Sequence, residues 1–441
     1  MQIEAIDLPS ILRRITKNVG ILLGATGISV MLGFATVALN ARALGAEGLG
    51  VVALFQASAA ILTSLFNIGS QQPMIRLGRQ AIEDHRMDRV GTIAGFAVLL
   101  DILAAFLAGL CALLLIWLVP GLIGITDEMR NLALVYTVVI FVSGTAASSG
   151  ILRLLNHFHY IGAIQIANAL LIFLAAGALF LSEAAVGGYI VAYALIHATT
   201  SGAQVVLALM LLRGNGVAIR FSPKAIRQAG ILHEYFTYGW TTSATSTLGN
   251  LRLHADALLL GAFFGPAVVG IYSVVKQFAG VFNKTSNVLY SSVFPEIAAL
   301  ETKRDHVGAT ALRSRLVFFA LAVGAAFVGL AALFGETILR MGFGEHFAEG
   351  AAALTLMLVA ATVSFSAGIL SMFVQVFISP KRLLVVFLCA FAAYVLAAPI
   401  AIFALGLIGA PIGQIVFATG LWLGCWASLG TVLPRKVATA Q

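Results

Sequence analysis

Apolar stretches follow one another along the chain, separated by short polar connections. Twelve runs are each long enough to cross a hydrocarbon core, which takes about 20 apolar residues in a helix. They cover roughly 18–41, 49–73, 92–118, 131–151, 161–182, 186–212, 237–262, 266–294, 314–334, 350–377, 383–404 and 408–432. Such runs predict helices immersed in lipid. A short interfacial helix is expected over residues 5–17. The first run is too long for a signal-peptide core and no small-residue cleavage site follows it, so it reads as a retained span. The pattern predicts an all-α integral membrane protein of about twelve transmembrane helices.

Basic residues give the orientation. Arg13, Arg14 and Lys17 precede run one, and Arg76, Arg79, Arg86 and Arg89 follow run two. Arg153 follows run four; Arg213, Arg220, Lys224 and Arg227 follow run six; Lys303, Arg304, Arg313 and Arg315 follow run eight. Lys381, Arg382, Arg435 and Lys436 complete the same side, while the other holds Arg42, Arg130 and Arg340. Cytoplasmic loops carry the excess of Lys and Arg, so both termini are expected inside. The longest outward connections, near 119–130 and 335–349, run to about a dozen residues each.

Composition narrows the class. The chain is 60% hydrophobic and 10% charged, where soluble domains carry about 25% charged residues. A net charge of +8 would suggest nucleic acid in a soluble protein. Here the basic residues sit in short loops, where topology accounts for them, and no nucleic-acid partner is expected. Cys111, Cys389 and Cys425 fall inside apolar runs and spell neither a disulfide framework nor a metal site. No metal-ligand cluster, nucleotide loop or nucleophile triad appears. No enzyme activity, catalytic residue or cofactor is therefore expected.

The stretch Gly45-Ala-Glu-Gly-Leu-Gly50-Val resembles Gly265-Pro-Ala-Val-Val-Gly270-Ile at an offset of 220 residues, about half the chain. Each opens the second run of a six-run half. Six is even, so both halves enter the membrane in one direction. This predicts two six-helix lobes related by a parallel pseudo-two-fold repeat around a central cavity, with substrate near the midplane and access alternating by rocking. The expected division is an N-terminal lobe over 1–212, a basic cytoplasmic linker over 213–236 and a C-terminal lobe over 237–441.

Charged residues inside the runs are the candidate chemistry. Arg252 and Asp256, with His254 between them, lie in run seven. Four residues apart, they share a helix face and can pair. Either they form a neutralised packing pair, or Asp256 is an ion-coupling carboxylate and Arg252 an anion contact. Lys276 and Lys284 lie in run eight with no acid between them. A cation at the bilayer centre costs ~2.5–3.5 kcal/mol on insertion scales, so it faces a partner or a wet cavity. Asp256 and Asp101 (run three) are two carboxylates against three cations. The interior is net positive and suits an anionic cargo. Asp101 is a second ion-coupling candidate, and His197 a proton relay or a packed polar residue. Arg42, at the outer end of run one, is an interfacial anchor or a phosphate contact. Gln56, Asn67, Gln165, Asn168, Gln204, Asn250, Asn283 and Gln375 line a sugar-sized cavity or glue helices together.

Three segments carry a family resemblance: Ala41-Arg-Ala-Leu-Gly-Ala-Glu-Gly-Leu-Gly50, Asp256-Ala-Leu-Leu-Leu-Gly-Ala-Phe-Phe-Gly-Pro-Ala-Val-Val-Gly-Ile-Tyr272 and Phe294-Pro-Glu296. With twelve runs in two halves, the chain resembles the multidrug/oligosaccharidyl-lipid/polysaccharide (MOP) flippase superfamily, and within it the Wzx-type polysaccharide branch. The resemblance implies a flippase that carries undecaprenyl-pyrophosphate-linked oligosaccharide repeat units across the bacterial inner membrane for O-antigen, capsule or exopolysaccharide synthesis. It further implies coupling to a proton or sodium gradient and work beside the polysaccharide polymerase machinery. Fixed cations would offset the desolvation of a pyrophosphate in the core. A monomer is expected, since the fold closes its own cavity. Two relatives compete. A cation-coupled multidrug exporter uses intramembrane acids, and the first run here has none. A lipid II flippase usually has two further spans. A membrane polymerase or glycosyltransferase generally needs a sizeable outer domain, which the short outer connections do not provide.

Overall fold

The computed structural model describes residues 8–118, 130–220 and 231–430, and helices dominate all three stretches. α1 (Leu8–Leu65) holds two membrane spans in one hydrogen-bonded run, kinked where Gly45 adopts φ 65°, ψ −172°. That conformation is open essentially to glycine alone. α2 (Gln71–Glu83), α3 (Met87–Leu118), α4 (Arg130–Val142), α5 (Ala146–Leu154), α6 (Phe158–Leu181) and α7 (Val186–Gly214) complete the first half. α8 (Ile231–Phe264), α9 (Pro266–Thr302), α10 (His306–Phe343), α11 (Ala351–Phe377), α12 (Pro380–Leu405) and α13 (Gly409–Leu429) form the second.

Each of the twelve apolar runs falls on these helices. Among the described residues eight helical stretches are apolar enough to cross a bilayer by composition, and Gly20–Leu65 and Pro380–Leu429 hold two spans each. Among the described residues Pro266–Phe282 of α9, which follows α8, is a further, shorter apolar stretch. These two helices carry Arg252, Asp256, Lys276 and Lys284.

Four details depart from the sequence reading. Run two ends at Leu65, and the chain turns through Gly69 (φ 69°), whose N–H donates to Asn67 Oδ1 at 2.8 Å. α2 then starts afresh as an amphipathic helix burying Met74, Leu77 and Ala81. Run four is broken at Ser143-Gly144-Thr145 into α4 and α5. The outward connection at 335–349 is mostly helix: α10 continues to Phe343, and Gly344 (φ 116°) with the 3-10 turn Glu345–Gly350 leads into α11. Run eight, expected over 266–294, does not end its helix there, because α9 runs on to Thr302. Residues 1–7, most of 119–130 and residues 221–230 of the basic linker lie outside the described residues, so the predicted interfacial helix is described only from Leu8, where it is continuous with α1.

Two core clusters lie mainly within the first half, and a third unites the second half with Ala41, Leu49, Leu54 and Ala57 of α1. α1 is thus the seam, packing along α9 and α8. The linker is tied to the first half. Arg220 N donates to Gly91 O at 3.3 Å and its guanidinium meets Asp88 at 3.0 Å. Tyr235, at the start of α8, is buried against Phe96 and donates to Ser70 O at 3.2 Å.

The two glycine stretches match in conformation. Gly265, with φ 82° and ψ 178°, precedes α9 as Gly45 precedes the second span of α1. A Cβ on Gly50 would overlap the Pro266 carbonyl, and one on Gly270 would overlap the Ala46 carbonyl. The halves therefore cross backbone against backbone at the end of the bundle remote from the basic loops.

Candidate functional site

Asp256 is 0% exposed and forms the hub of the second half. Tyr272 on α9 donates to its Oδ2 at 2.7 Å, and the Tyr394 hydroxyl on α12 and Gln414 Nε2 on α13 donate as well. Four helices thus meet at one carboxylate. Gln414 also accepts from Arg252 Nη1, so the amide bridges the two charges. Among the described residues no ion pair joins Arg252 directly to Asp256. The Arg252 guanidinium instead lies 4.2 Å from the Phe417 ring centroid, a cation–π position. Lys276 donates to the Leu253 carbonyl, with its ammonium 5.9 Å from the Tyr272 ring. Two cations and one carboxylate are gathered inside the lobe, away from the cavities described below.

Lys284 stands apart from this cluster and is exposed on α9. Arg42, also exposed, donates from Nη2 to Met341 O at 3.0 Å and ties α1 to the far end of α10. Among the described residues the first half has no charged counterpart of the hub at the matching positions. The residue 220 positions before Asp256 is Thr36, which donates to Leu32 O at 2.8 Å, and one turn on Asn40 accepts from Tyr193 at 2.9 Å.

Asp101 marks a second polar centre. Its Oδ2 accepts the Ala147 N–H at 2.6 Å, satisfying a first-turn donor of α5 that has no intrahelical partner. A Cβ on Gly144 would lie 2.7 Å from Asp101 O, so the break in run four can approach α3 only with glycine there. Gln204 on α7 donates to Ser149 Oγ at 2.8 Å and Ser148 Oγ at 3.1 Å, holding α5 from the other side.

Asp101 lines a cavity of about 310 Å³ with Ser64, Asn67, Gln71, Ser143 and Ser149 of the first half and Asn250 of the second. A neighbouring cavity of about 330 Å³ shares Asn67 and Gln71 and adds Gln72, Ser246 and Gln375. Both lie between the halves, toward the helix ends that carry the basic loops. Their volumes are in the range of small-molecule sites, and the polar groups in their walls, set among alanines, glycines, Pro380 and Leu383, are amides and hydroxyls with one carboxylate. Of the predicted amides, Asn67, Asn250 and Gln375 line these cavities. Gln165, Asn168 and Gln204 bond across helices, Gln56 is exposed, and the Asn283 side chain lies outside the described residues.

The sequence reading missed Tyr272, Tyr394 and Gln414. The signal was available: a buried polar group is almost always hydrogen-bonded, and Gln414 is the one amide among the residues of α13.

Residues 15–301 match the model of the polysaccharide biosynthesis protein family, well over half the chain. This chain belongs to that family. The inner membrane protein YghQ of Escherichia coli (strain K12) is 20% identical over 340 residues, 76% of this chain and 94% of that one. A multidrug resistance MATE family transporter of the MOP superfamily, inward-facing, superposes with TM-score 0.71 at 16% identity over 93% of this chain and 96% of that one. Lipid II flippase MurJ, inward closed, superposes with TM-score 0.70 at 14% identity over 92% and 87%. This polysaccharide-biosynthesis family member therefore has the twelve-helix fold of the MOP transporters and is a multi-pass membrane protein.

Proposed function

We propose that this transporter flips undecaprenyl-pyrophosphate-linked oligosaccharides between the leaflets of the inner membrane by alternating access. The observation that carries the reading is the wall of the two cavities. Amides and hydroxyls from both halves suit a ligand that is itself a dense array of hydroxyls. A cationic drug would call for several carboxylates, and Asp101 is the single one, with one oxygen already engaged by Ala147.

The distribution of Lys and Arg supports a cavity end that faces the cytoplasm. The state is then closed outside, at Gly50, Gly270 and Arg42, and accessible inside. The lobes are 1–212 and 237–441 with 213–236 as linker. Lys284, exposed on α9, meets the pyrophosphate, and Arg42 is a second contact toward the exit. Arg252 and Lys276 act from inside the C-terminal lobe. With Asp256 ionised their cluster keeps one net positive charge, felt at distance in a medium of low dielectric constant. Asp256 couples transport to a proton or sodium ion, because a change in its occupancy alters its bonds to three other helices at once. Asp101 does the same at the α4–α5 break.

The experiment is equilibrium binding to purified transporter in detergent. Undecaprenyl-pyrophosphate bearing an oligosaccharide should raise the melting temperature more than undecaprenyl-pyrophosphate alone, and Asn67→Ala with Gln71→Ala should remove the difference. Equal stabilisation by both lipids would sink the glycan assignment, and stabilisation by a cationic dye alone would favour a drug exporter.

A further inference from the structure

Arg313, on the second turn of α10, is 7% exposed, and among the described residues no ion pair reaches it. Its guanidinium lies 4.9 Å from the Trp426 ring centroid, and its buried Nε has no hydrogen-bond partner. The chain around it offers no carboxylate: residues 351–441, which include α11, α12 and α13, contain neither Asp nor Glu. Asp305, at the start of α10, caps that helix by accepting from Gly308 N at 2.8 Å. Glu296 and Glu301 near the end of α9 are exposed, and among the described residues no ion pair joins either to Arg313. A buried, unpaired guanidinium is costly, so its partner is expected to come from outside the chain.

The surroundings say what kind of partner. Trp422 stacks on Trp426 with centroids 5.2 Å apart and planes 10° apart, and Trp422 Nε1 donates to Ser366 Oγ at 2.9 Å. Arg313 therefore sits on a fixed indole platform. Trp426 remains 38% exposed, and Leu423 (55%) and Phe318 (74%) present apolar surface from α13 and α10. These two helices both pack on α11 rather than extensively on each other, leaving a crevice over it. A second cation stands at the last turn of α13, where Arg382 Nε donates to Ser428 Oγ at 3.2 Å. Guanidinium over indole at the head of an apolar crevice, on the basic side of the bundle, matches a lipid phosphate with its acyl chain below.

We propose that Arg313 and Trp426 form a headgroup site for an anionic phospholipid of the leaflet on the basic side, in the crevice between α10 and α13. Guanidinium grips phosphate in bidentate fashion, and basic pockets between membrane helices on this side are where anionic headgroups bind. The site lies outside the cavities and stands whether or not the transported molecule carries sugar.

Native mass spectrometry of the full-length, delipidated protein tests it, with phosphatidylglycerol, phosphatidylcholine and inorganic phosphate as probes. Wild type should retain phosphatidylglycerol over phosphatidylcholine. Arg313→Gln should weaken phosphatidylglycerol about fivefold, the loss of one cation near the surface, while Arg315→Gln on the exposed side should not. Trp426→Leu should weaken it as well, which keeps the test open if Arg313→Gln is poorly folded. In lipid-free neutral detergent Arg313→Gln should melt higher than wild type, since it removes an unpaired buried charge. Undiminished phosphatidylglycerol binding in both variants overturns the proposal. So does equal Arg313-dependent stabilisation by inorganic phosphate, which would mark a free-anion site.

Discussion

Gly50 meets Gly270 across the two halves: a Cβ on Gly50 would lie 2.9 Å from the Gly270 backbone nitrogen and would also overlap the Pro266 carbonyl. Each glycine stands five residues after a glycine of positive φ, Gly45 or Gly265. The repeat therefore builds its own closure. Kinking glycines end the first span of each pair, and packing glycines let the second spans cross.

Gly50→Val and Gly270→Val should each force this contact apart. Overpacking of a tight contact typically costs 1–3 kcal/mol, and rocking the halves open relieves it. Double electron–electron resonance between labels at the exposed positions Glu47 and Glu345 should report a longer, broader distance in the variants. A distribution identical to that of the parent would show that the glycines are not part of the closure.

Tyr394→Phe removes one of three donors to Asp256. A hydrogen bond to a charged group contributes about 1.5–3 kcal/mol, so the melting temperature should fall measurably in detergent. Asp256→Asn should cost more, because its amide N–H₂ would face either the Tyr394 donor at one oxygen position or the Tyr272 and Gln414 donors at the other. Tyr193→Phe should cost less than Tyr394→Phe, since Asn40 is neutral. A reversed order would mean that the hub is not held by an ionised carboxylate.

Asp101→Ala should destabilise by roughly 1 kcal/mol, as loss of a helix N-cap does. Gly144→Ala should act in the same direction through its approach to Asp101 O. Hydrogen exchange should rise in α5 above all, and protection left unchanged there would refute the capping role.

The helix inventory was legible because lipid demands long apolar runs with internally satisfied backbones. Gly45 and Gly265 announced the repeat, since only glycine takes their conformation. The break at Ser143-Gly144-Thr145 was hidden. It interrupts an apolar run without a charge or proline, and its support comes from Asp101 and Gln204, distant in sequence. Arg252 and Asp256 were legible as neighbours on one face. Their partners were not, because Tyr394 and Gln414 arrive from helices about 140 and 160 residues away.

The most direct measurement is translocation of a fluorescent undecaprenyl-pyrophosphate oligosaccharide in proteoliposomes, with and without an imposed proton or sodium gradient. The account predicts gradient-stimulated flipping, slowed by Lys284→Ala and no longer stimulated in Asp256→Asn. Wild-type protein that leaves this lipid in place under either gradient, while expelling a cationic dye, would contradict it.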